Sequence, residues 1–407
     1  MSDTSTELEH ILILAFSPVE RDARVLRQAR YLGEKFKVTL AGFGPDPFRH
    51  APLPNVTWFE IDTNGTVSKH YKKIQLIAAN LCRISPWFLK LYYNQIPYWR
   101  YAWHLAQSAR FRVIYCNDAD TMPIGLAAAS ASRSAKIILD LHEYATREMA
   151  DGFHWTWERK PVVTRILKSM ARHANGTVTV ADSFVPLMKK EFRMRTPIVV
   201  HNAPELAPLP PRSARTDDKI HLIHHGGAAR SRQLERMIHA VARAEKRFVL
   251  HFMLTGGPDY LADLKKIAAE TCPDRVVFHQ AVKPGEIVAA ISGFDMGVYI
   301  LPPHSFNDLH AMPNKFFDFI VAGLAVAVAP SVNMAKITQE NHIGWVADDF
   351  EPESFAKLLN TITLDQIETR RAASMKLRET VNAKAEMSKL VELVQRVAAR
   401  KPKPAKG

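Results

Sequence analysis

Short apolar runs alternate with amphipathic stretches along this sequence, and the alternation runs through twice. Residues 10–16 (HILILAF) form a brief continuous apolar run, as expected of a strand buried on both faces. Residues 22–36 then carry Ala23, Leu26, Ala29 and Leu32 at helical spacing. The same reading gives strands at 37–42, 56–61, 112–116, 136–141 and 176–180, with helices at 121–132, 164–174 and 183–192. A long helical region spans roughly 67–109. At 203–218 the composition changes to APELAPLPPRSARTDD. Its prolines cannot sit inside a parallel sheet, so it reads as a linker. The pattern then restarts, with strands at 220–225, 248–255, 276–279, 296–300 and 325–329. Helices fall at 232–246, 259–270, 283–291 and 314–322, and more follow from about 353. Repeated strand–helix units require parallel sheets and right-handed crossovers. The expected fold is therefore α/β, with two Rossmann-like doubly wound domains facing across a cleft. Their expected bounds are 1–203, with a helical insert at about 67–110, and 219–375. The linker is 204–218. A C-terminal helix at 376–400 is expected to pack back toward the first domain, followed by a basic tail at 401–407.

At 407 residues and 47% hydrophobic content, each half can build its own core. The three cysteines, Cys82, Cys116 and Cys272, are far apart and form no C-x-x-C pair. That argues against a disulfide framework or a zinc site and suits a reducing cytosol. The apolar run 11–16 is too short for a signal-peptide core and lacks a basic flank. The longest apolar run, 319–329, falls well short of the about 20 residues of a spanning helix. We expect a cytoplasmic protein, peripheral on the inner face of the membrane.

The net charge is +13, and between Asp62 and Asp118 no acidic residue occurs. That interval carries Lys69, Lys72, Lys73, Arg83, Lys90, Arg100, Arg110 and Arg112, interleaved with Trp87, Tyr92, Tyr93, Trp99 and Trp103 among other aromatics. Basic charge with amphipathic rings suits an anionic membrane surface or a lipid-linked partner. Solvated helices with an aromatic core face would give the same pattern. Nucleic acid is the least favoured of the three readings and is not an expected partner.

In doubly wound sheets the ligand lies beyond the C-terminal ends of the strands, so the chemistry is sought there. After the first strand of the second half stands HHGGAARSR, residues 224–232. Gly226 and Gly227 let the backbone approach a ligand. Arg232, expected at the start of a helix, can grip a phosphate bidentately, with Arg230 beside it. His224 and His225 read as packing residues. After the next strand, Gly256 and Gly257 make a strand-to-helix turn with Asp259 as N-cap. Neither the G-x-G-x-x-G fingerprint nor the P-loop is present. The richest stretch is 311–330. Pro313 begins a helix, and Asn314 and Lys315 occupy its first turn, where free N–H groups and the ammonium make an anion site. Asp318, one turn on, can accept from two ribose hydroxyls. Gly323 ends the helix ahead of a buried strand.

This stretch resembles the donor-binding signature of GT-B glycosyltransferases, family 4, through Pro313, Lys315, Phe316, Asp318, Phe319, Gly323 and Val326. Residues 17–25 (SPVERDARV), 115–120 (YCNDAD), 140–143 (DLHE), 178–183 (VTVADS) and 201–204 (HNAP) resemble further elements of that family. So does Gly226 to Arg232 with Leu234 and Ala240 behind it. The likeness spans roughly 10–375. Two positions depart from the pattern. Gly227 stands where many relatives have arginine, with Arg230 as the nearby substitute. His310 stands where others have an acid eight residues before Asp318.

The resemblance implies a retaining transferase that uses a UDP- or GDP-linked sugar and a glycan or lipid-linked acceptor, in cell-surface polysaccharide or glycolipid synthesis. It places Arg232, Asn314 and Lys315 at the donor diphosphate and Asp318 at the ribose. His142 falls near the transferred sugar as the catalytic residue, and Arg21, Asp22, Arg24 and Glu143 on the acceptor side. No metal or other cofactor is expected, since fixed cations and helix N–H groups stabilise the leaving diphosphate. Domain closure is expected to exclude water. The rival readings are a nucleotide-sugar epimerase or inverting transferase of the same fold, and a non-enzymatic binder of nucleotide sugars or nucleic acid.

Overall fold

The computed structural model describes residues 8–63, 69–132, 135–149, 152–212 and 217–400. Parts of the proposed insert and linker, and the basic tail at 401–407, lie outside the described residues. The chain divides into two compact units, one of Met1–Val200 with Met387–Gly407, the other of His201–Glu386.

The first unit is built on seven parallel strands: β1 (His10–Pro18), β2 (Lys37–Phe43), β3 (Val56–Glu60), β4 (Val113–Asn117), β5 (Lys136–Leu141), β6 (Gly176–Thr179) and β7 (Ile198–Val199). Their order is β3-β2-β1-β4-β5-β6-β7. The second unit holds six: β8 (Ile220–Gly227), β9 (Phe248–Thr255), β10 (Val276–His279), β11 (Met296–Tyr299), β12 (Ala325–Val328) and β13 (Gly344–Val346). Their order is β10-β9-β8-β11-β12-β13. In both sheets the order reverses beside the first strand, between β1 and β4 and between β8 and β11. At such a switch point the connections leave in opposite directions and open a crevice. Each unit is thus a Rossmann-like domain.

Successive residues of a strand face opposite sides, so one strand feeds two cores. Leu222 and Val298 pack on one side of the second sheet, and Ile223, Tyr299 and Val328 on the other. In the first domain, Ile11, Val38, Val113 and Ile138 share a core with Met387, Leu390, Val394 and Val397 of the last helix, Ala383–Ala398.

The single long helical region expected at 67–109 is three helices, Lys69–Leu81, Phe88–Tyr93 and Pro97–Ser108. Pro86 and Pro97 have no N–H to continue a helix, and Pro97 opens the third one at its first position. The edge strands β7 and β13 and the helices Phe306–Leu309 and Val332–Glu340 were not expected from the sequence.

Candidate functional site

The second-domain switch point gathers the glycines of β8 and the helix Asn314–Val321. Gly226 has φ +112°, and a Cβ there would stand 3.3 Å from Lys315 Nζ. The absence of a side chain lets the ammonium lie against the strand end. The next turn is fitted to it. Ala228 N–H donates to Thr255 O at 2.9 Å. Gly257, at φ +57°, lies so close to Ala228 that a Cβ would meet Ala228 O at 2.5 Å. The two glycine turns therefore form one backbone ledge.

Lys315 is 5% exposed. Its Nζ lies 2.9 Å from His224 Nε2 and 4.9 Å above the Tyr299 ring. His224 Nδ1 is 2.9 Å from Val298 O. That carbonyl can only accept, so Nδ1 carries the proton and Nε2 presents its lone pair to the ammonium. Burial pushes Lys315 well below its ordinary pKa, the Arg232 guanidinium adds to this, and Asp318 opposes it. Burial, then the Lys315 charge, holds His224 well below its usual value. The same two causes, in the same order, bring His225 down to about 3. His225 Nε2 lies 3.4 Å from Asp318 Oδ2, and Asp318 is 9% exposed.

Asn314 stands exposed at the helix start, and its Oδ1 accepts from Asn202 Nδ2 at 2.5 Å. The residue is thereby held with the first-turn N–H groups beside it. Arg232 is not in the first turn of a long helix, because that helix is Glu235–Arg243. It ends a 3-10 turn, Arg230–Arg232, before Gln233 at φ +46°, and one of its guanidinium nitrogens donates to Gly227 O at 3.2 Å. Arg230 turns outward, paired with Asp263 and stacked over the Tyr260 ring at 5.2 Å. Asp259 is a first-turn residue of Pro258–Thr271, and Gly257 takes the cap position. The His310 ring lies against Phe306, with centroids 4.3 Å apart.

In the first domain the β1/β4 switch point carries a second polar cluster. Asp140 is fully buried and accepts from Arg24 Nε (3.0 Å) and Nη2 (2.9 Å), Gln28 Nε2 (2.9 Å) and Tyr115 Oη (2.7 Å). Arg24 also donates to Val200 O at 2.8 Å and is 3% exposed. Arg24, expected at the acceptor-side mouth, has its guanidinium buried as the counter-ion of Asp140. Asp22 caps its helix, accepting from Val25 N at 3.1 Å and from Ser17 Oγ at 2.8 Å. Arg21 and Glu143 are exposed. The His142 ring is half-buried. Its Nε2 lies 3.2 Å from Asn117 Oδ1 and its Nδ1 3.6 Å from Asp118 Oδ2. Asn117 Nδ2 donates to Leu14 O, which fixes its Oδ1 as an acceptor. His142 Nε2–H is therefore the donor.

The structure thus brings together Gly226, Gly227, Arg232, Asn314, Lys315 and Asp318, with Gly256 and Gly257 beside them. It adds His224, His225, Tyr299 and Asn202, which sequence reasoning did not place at the site. The signal for the histidines was their position directly before the glycine pair at a strand end. Among the described residues, no group of three or more His, Cys, Asp or Glu side chains is arranged to hold a metal ion. No described helix is long and apolar enough to cross a membrane.

Residues 209–380 match a family model described as Glycosyl transferases group 1. No curated protein matches the chain at the sequence level. Among solved structures, the chain is similar to Alr3699/HepE from Anabaena, in complex with UDP-glucose, at 13% identity and a TM-score of 0.67, covering 95% of this chain and 99% of that one. A glycosyltransferase from Rickettsia africae gives 10% identity and a TM-score of 0.68, covering 97% and 100%. Sucrose-phosphate synthase from Thermosynechococcus elongatus gives 13% and 0.67, covering 96% and 99%. At these identities the structural likeness is one of fold, shared with GT-B glycosyltransferases.

Proposed function

We propose that this chain, a glycosyltransferase by the group 1 domain in its second half, moves a sugar from a UDP- or GDP-linked donor to a glycan or lipid-linked acceptor. The anomeric configuration is retained in this reading, and the product belongs to cell-surface polysaccharide or glycolipid synthesis. The observation that carries the proposal is the cluster at the β8/β11 switch point. There a buried lysine, a guanidinium, two glycine turns and a helix start surround one carboxylate. A nucleoside diphosphate has the complementary chemistry, with anionic oxygens for the cations and N–H groups and a ribose diol for Asp318. The bound UDP-glucose of the Anabaena protein supports a nucleotide sugar as the ligand class.

Cleavage of the sugar–phosphate bond leaves growing negative charge on the diphosphate. Lys315, Arg232 and the N–H groups of Asn314 and Lys315 are fixed in place before the reaction, so they stabilise that charge without reorganising. Neutralisation then needs no metal or other cofactor. His142, held by Asn117 and Asp118, is the catalytic residue we assign to the acceptor side, with Glu143 next to it in sequence and Arg21 and Asp22 placed after β1. Arg24 acts there only by bracing Asp140.

A thermal-shift screen of UDP- and GDP-linked sugars, followed by NMR of the product formed with the best donor, tests this reading. We expect stabilisation by one nucleotide class and a product of unchanged anomeric configuration. An inverted product, or an epimerised free donor, would overturn the retaining transferase in favour of its rivals.

A further inference from the structure

The helical part of the first domain holds a feature the donor site does not use. The loop after Lys69–Leu81 meets the helix Lys160–Met170 around a pocket of about 300 Å³. Four of the seven residues lining it are cations, Arg83, Lys160, Arg165 and Lys168, and none is acidic. Lys160, Thr164 and Lys168 recur every fourth position and so share one helix face. Arg165 fixes the wall by donating to the carbonyls of Cys82 and Arg83. Arg83 donates to Thr156 O at 2.8 Å and lies 5.5 Å from the Trp157 ring centroid. Of the carboxylates in these segments, Glu158 lies 2.8 Å from His154 Nδ1 and Asp120 pairs with Arg159.

Large apolar side chains stand exposed along the same segments. Ile84 is 76% exposed, Trp87 68%, Phe153 70% and Trp157 49%. Four cations line one pocket, and among the described residues no carboxylate lines it with them, so the pocket selects an anion. Bulky apolar groups held in water beside them select a ligand with an apolar phase attached to that anion.

We propose that this pocket takes the phosphate headgroup of an anionic phospholipid, and that Ile84, Trp87 and Trp157 enter the bilayer interface around it. The surface belongs to the first domain and the donor site to the second, and the proposal stands or falls without the donor assignment. A second apolar pocket of about 540 Å³ borders the same segments, with Trp87, Trp99, Trp103 and Met170 in its walls and Lys90 and Arg100 beside them. That adds a further aromatic and basic surface that includes Trp87, as an interfacial face requires.

The test is vesicle co-sedimentation of the full chain, using phosphatidylcholine alone and phosphatidylcholine with about one third phosphatidylglycerol. The wild type should bind the anionic vesicles and lose them as salt rises. The double variant Lys160→Gln/Lys168→Gln removes two exposed charges and leaves the Arg165 contacts in place. Its partitioning should fall on the order of thirtyfold. Ile84→Ser should weaken binding by a severalfold factor that added salt does not erase, because it removes an apolar anchor. Nucleoside diphosphate binding should be unchanged in all of these variants, which separates this proposal from the donor assignment. Equal binding to neutral and anionic vesicles would overturn it, as would full binding by the double variant. Tighter binding of inorganic phosphate or of a short single-stranded oligonucleotide than of the anionic vesicles would assign the pocket to a soluble anion or to nucleic acid, and would equally overturn it.

Discussion

Lys315 is under two opposing demands. Burial beside Arg232 favours the neutral amine, whereas a diphosphate laid against it favours the ammonium. Ligand binding therefore raises its pKa, and the complex takes up a proton at any pH between the free and bound values. Affinity should weaken as pH rises through that interval. Calorimetry in buffers of different ionisation enthalpy measures the uptake, and Lys315→Met should abolish it. His224→Phe removes the lone pair that Lys315 Nζ faces and should reduce diphosphate affinity about tenfold, near the lower end for a hydrogen bond to a charged group. Gly257→Ala places a Cβ against Ala228 O at positive φ and should cost about 1–3 kcal/mol in stability, read by denaturant unfolding. The clustering of the glycines, Lys315 and Asp318 was legible because they lie at strand ends or in the first turns of a helix, where chemistry of that type has a physical reason to be. His224 and His225 were not. An apolar strand can bury a neutral histidine as packing, and only the fold brings Lys315 to one ring and Asp318 to the other.

At the scale of elements, the best-read strands were those with long apolar runs. β5 and β9 fall where expected, residue for residue. Failures came at the shortest strands. β7 has two residues and β13 three, so their apolar runs are too short to stand out as strands. The first sheet is pinned at its switch point by the Arg24–Asp140 pair. Arg24→Met leaves a buried carboxylate without its counter-ion and should destabilise the first domain by about 3–5 kcal/mol, measured by chemical unfolding. The second sheet carries three histidines in series: His221 Nδ1 is 2.9 Å from His251 Nε2, and His251 Nδ1 is 2.8 Å from His279 Nε2. Burial, then the charges of His221 and His279, lowers His251 to about 3. A histidine whose folded pKa lies below its unfolded 6.5 binds protons more readily when unfolded. Its contribution is whole above pH 6.5 and is lost as pH falls toward 3. The second domain should lose on the order of 2 kcal/mol per buried histidine, His225 and His251, between pH 7 and 5. Unfolding curves at the two pH values check this, and His251→Phe should flatten the dependence.

Over the whole molecule, the chain returns to its first domain at the end. Met387, Leu390, Leu393, Val394 and Val397 are each at most 4% exposed. At about 1.5–3 kcal/mol apiece their burial rivals the entire stability of an ordinary domain. A chain truncated before Met387 should present a protease-sensitive first domain beside a resistant second one. Two Rossmann-like halves were legible from alternation and one proline-rich break, since both are periodic signals. The cationic pocket at the edge of the helical insert was not, because Arg83 and the 160–168 helix that line it are far apart in sequence. The central claim is that the β8/β11 switch point of the second domain holds the diphosphate and ribose of a nucleotide-sugar donor. Titration calorimetry of UDP and of GDP against wild type, Lys315→Ala and Asp318→Ala tests it most directly. Wild type should bind one of the two nucleotides, and each variant should lose about ten- to hundredfold in affinity. Wild-type affinity retained in both variants would contradict the account.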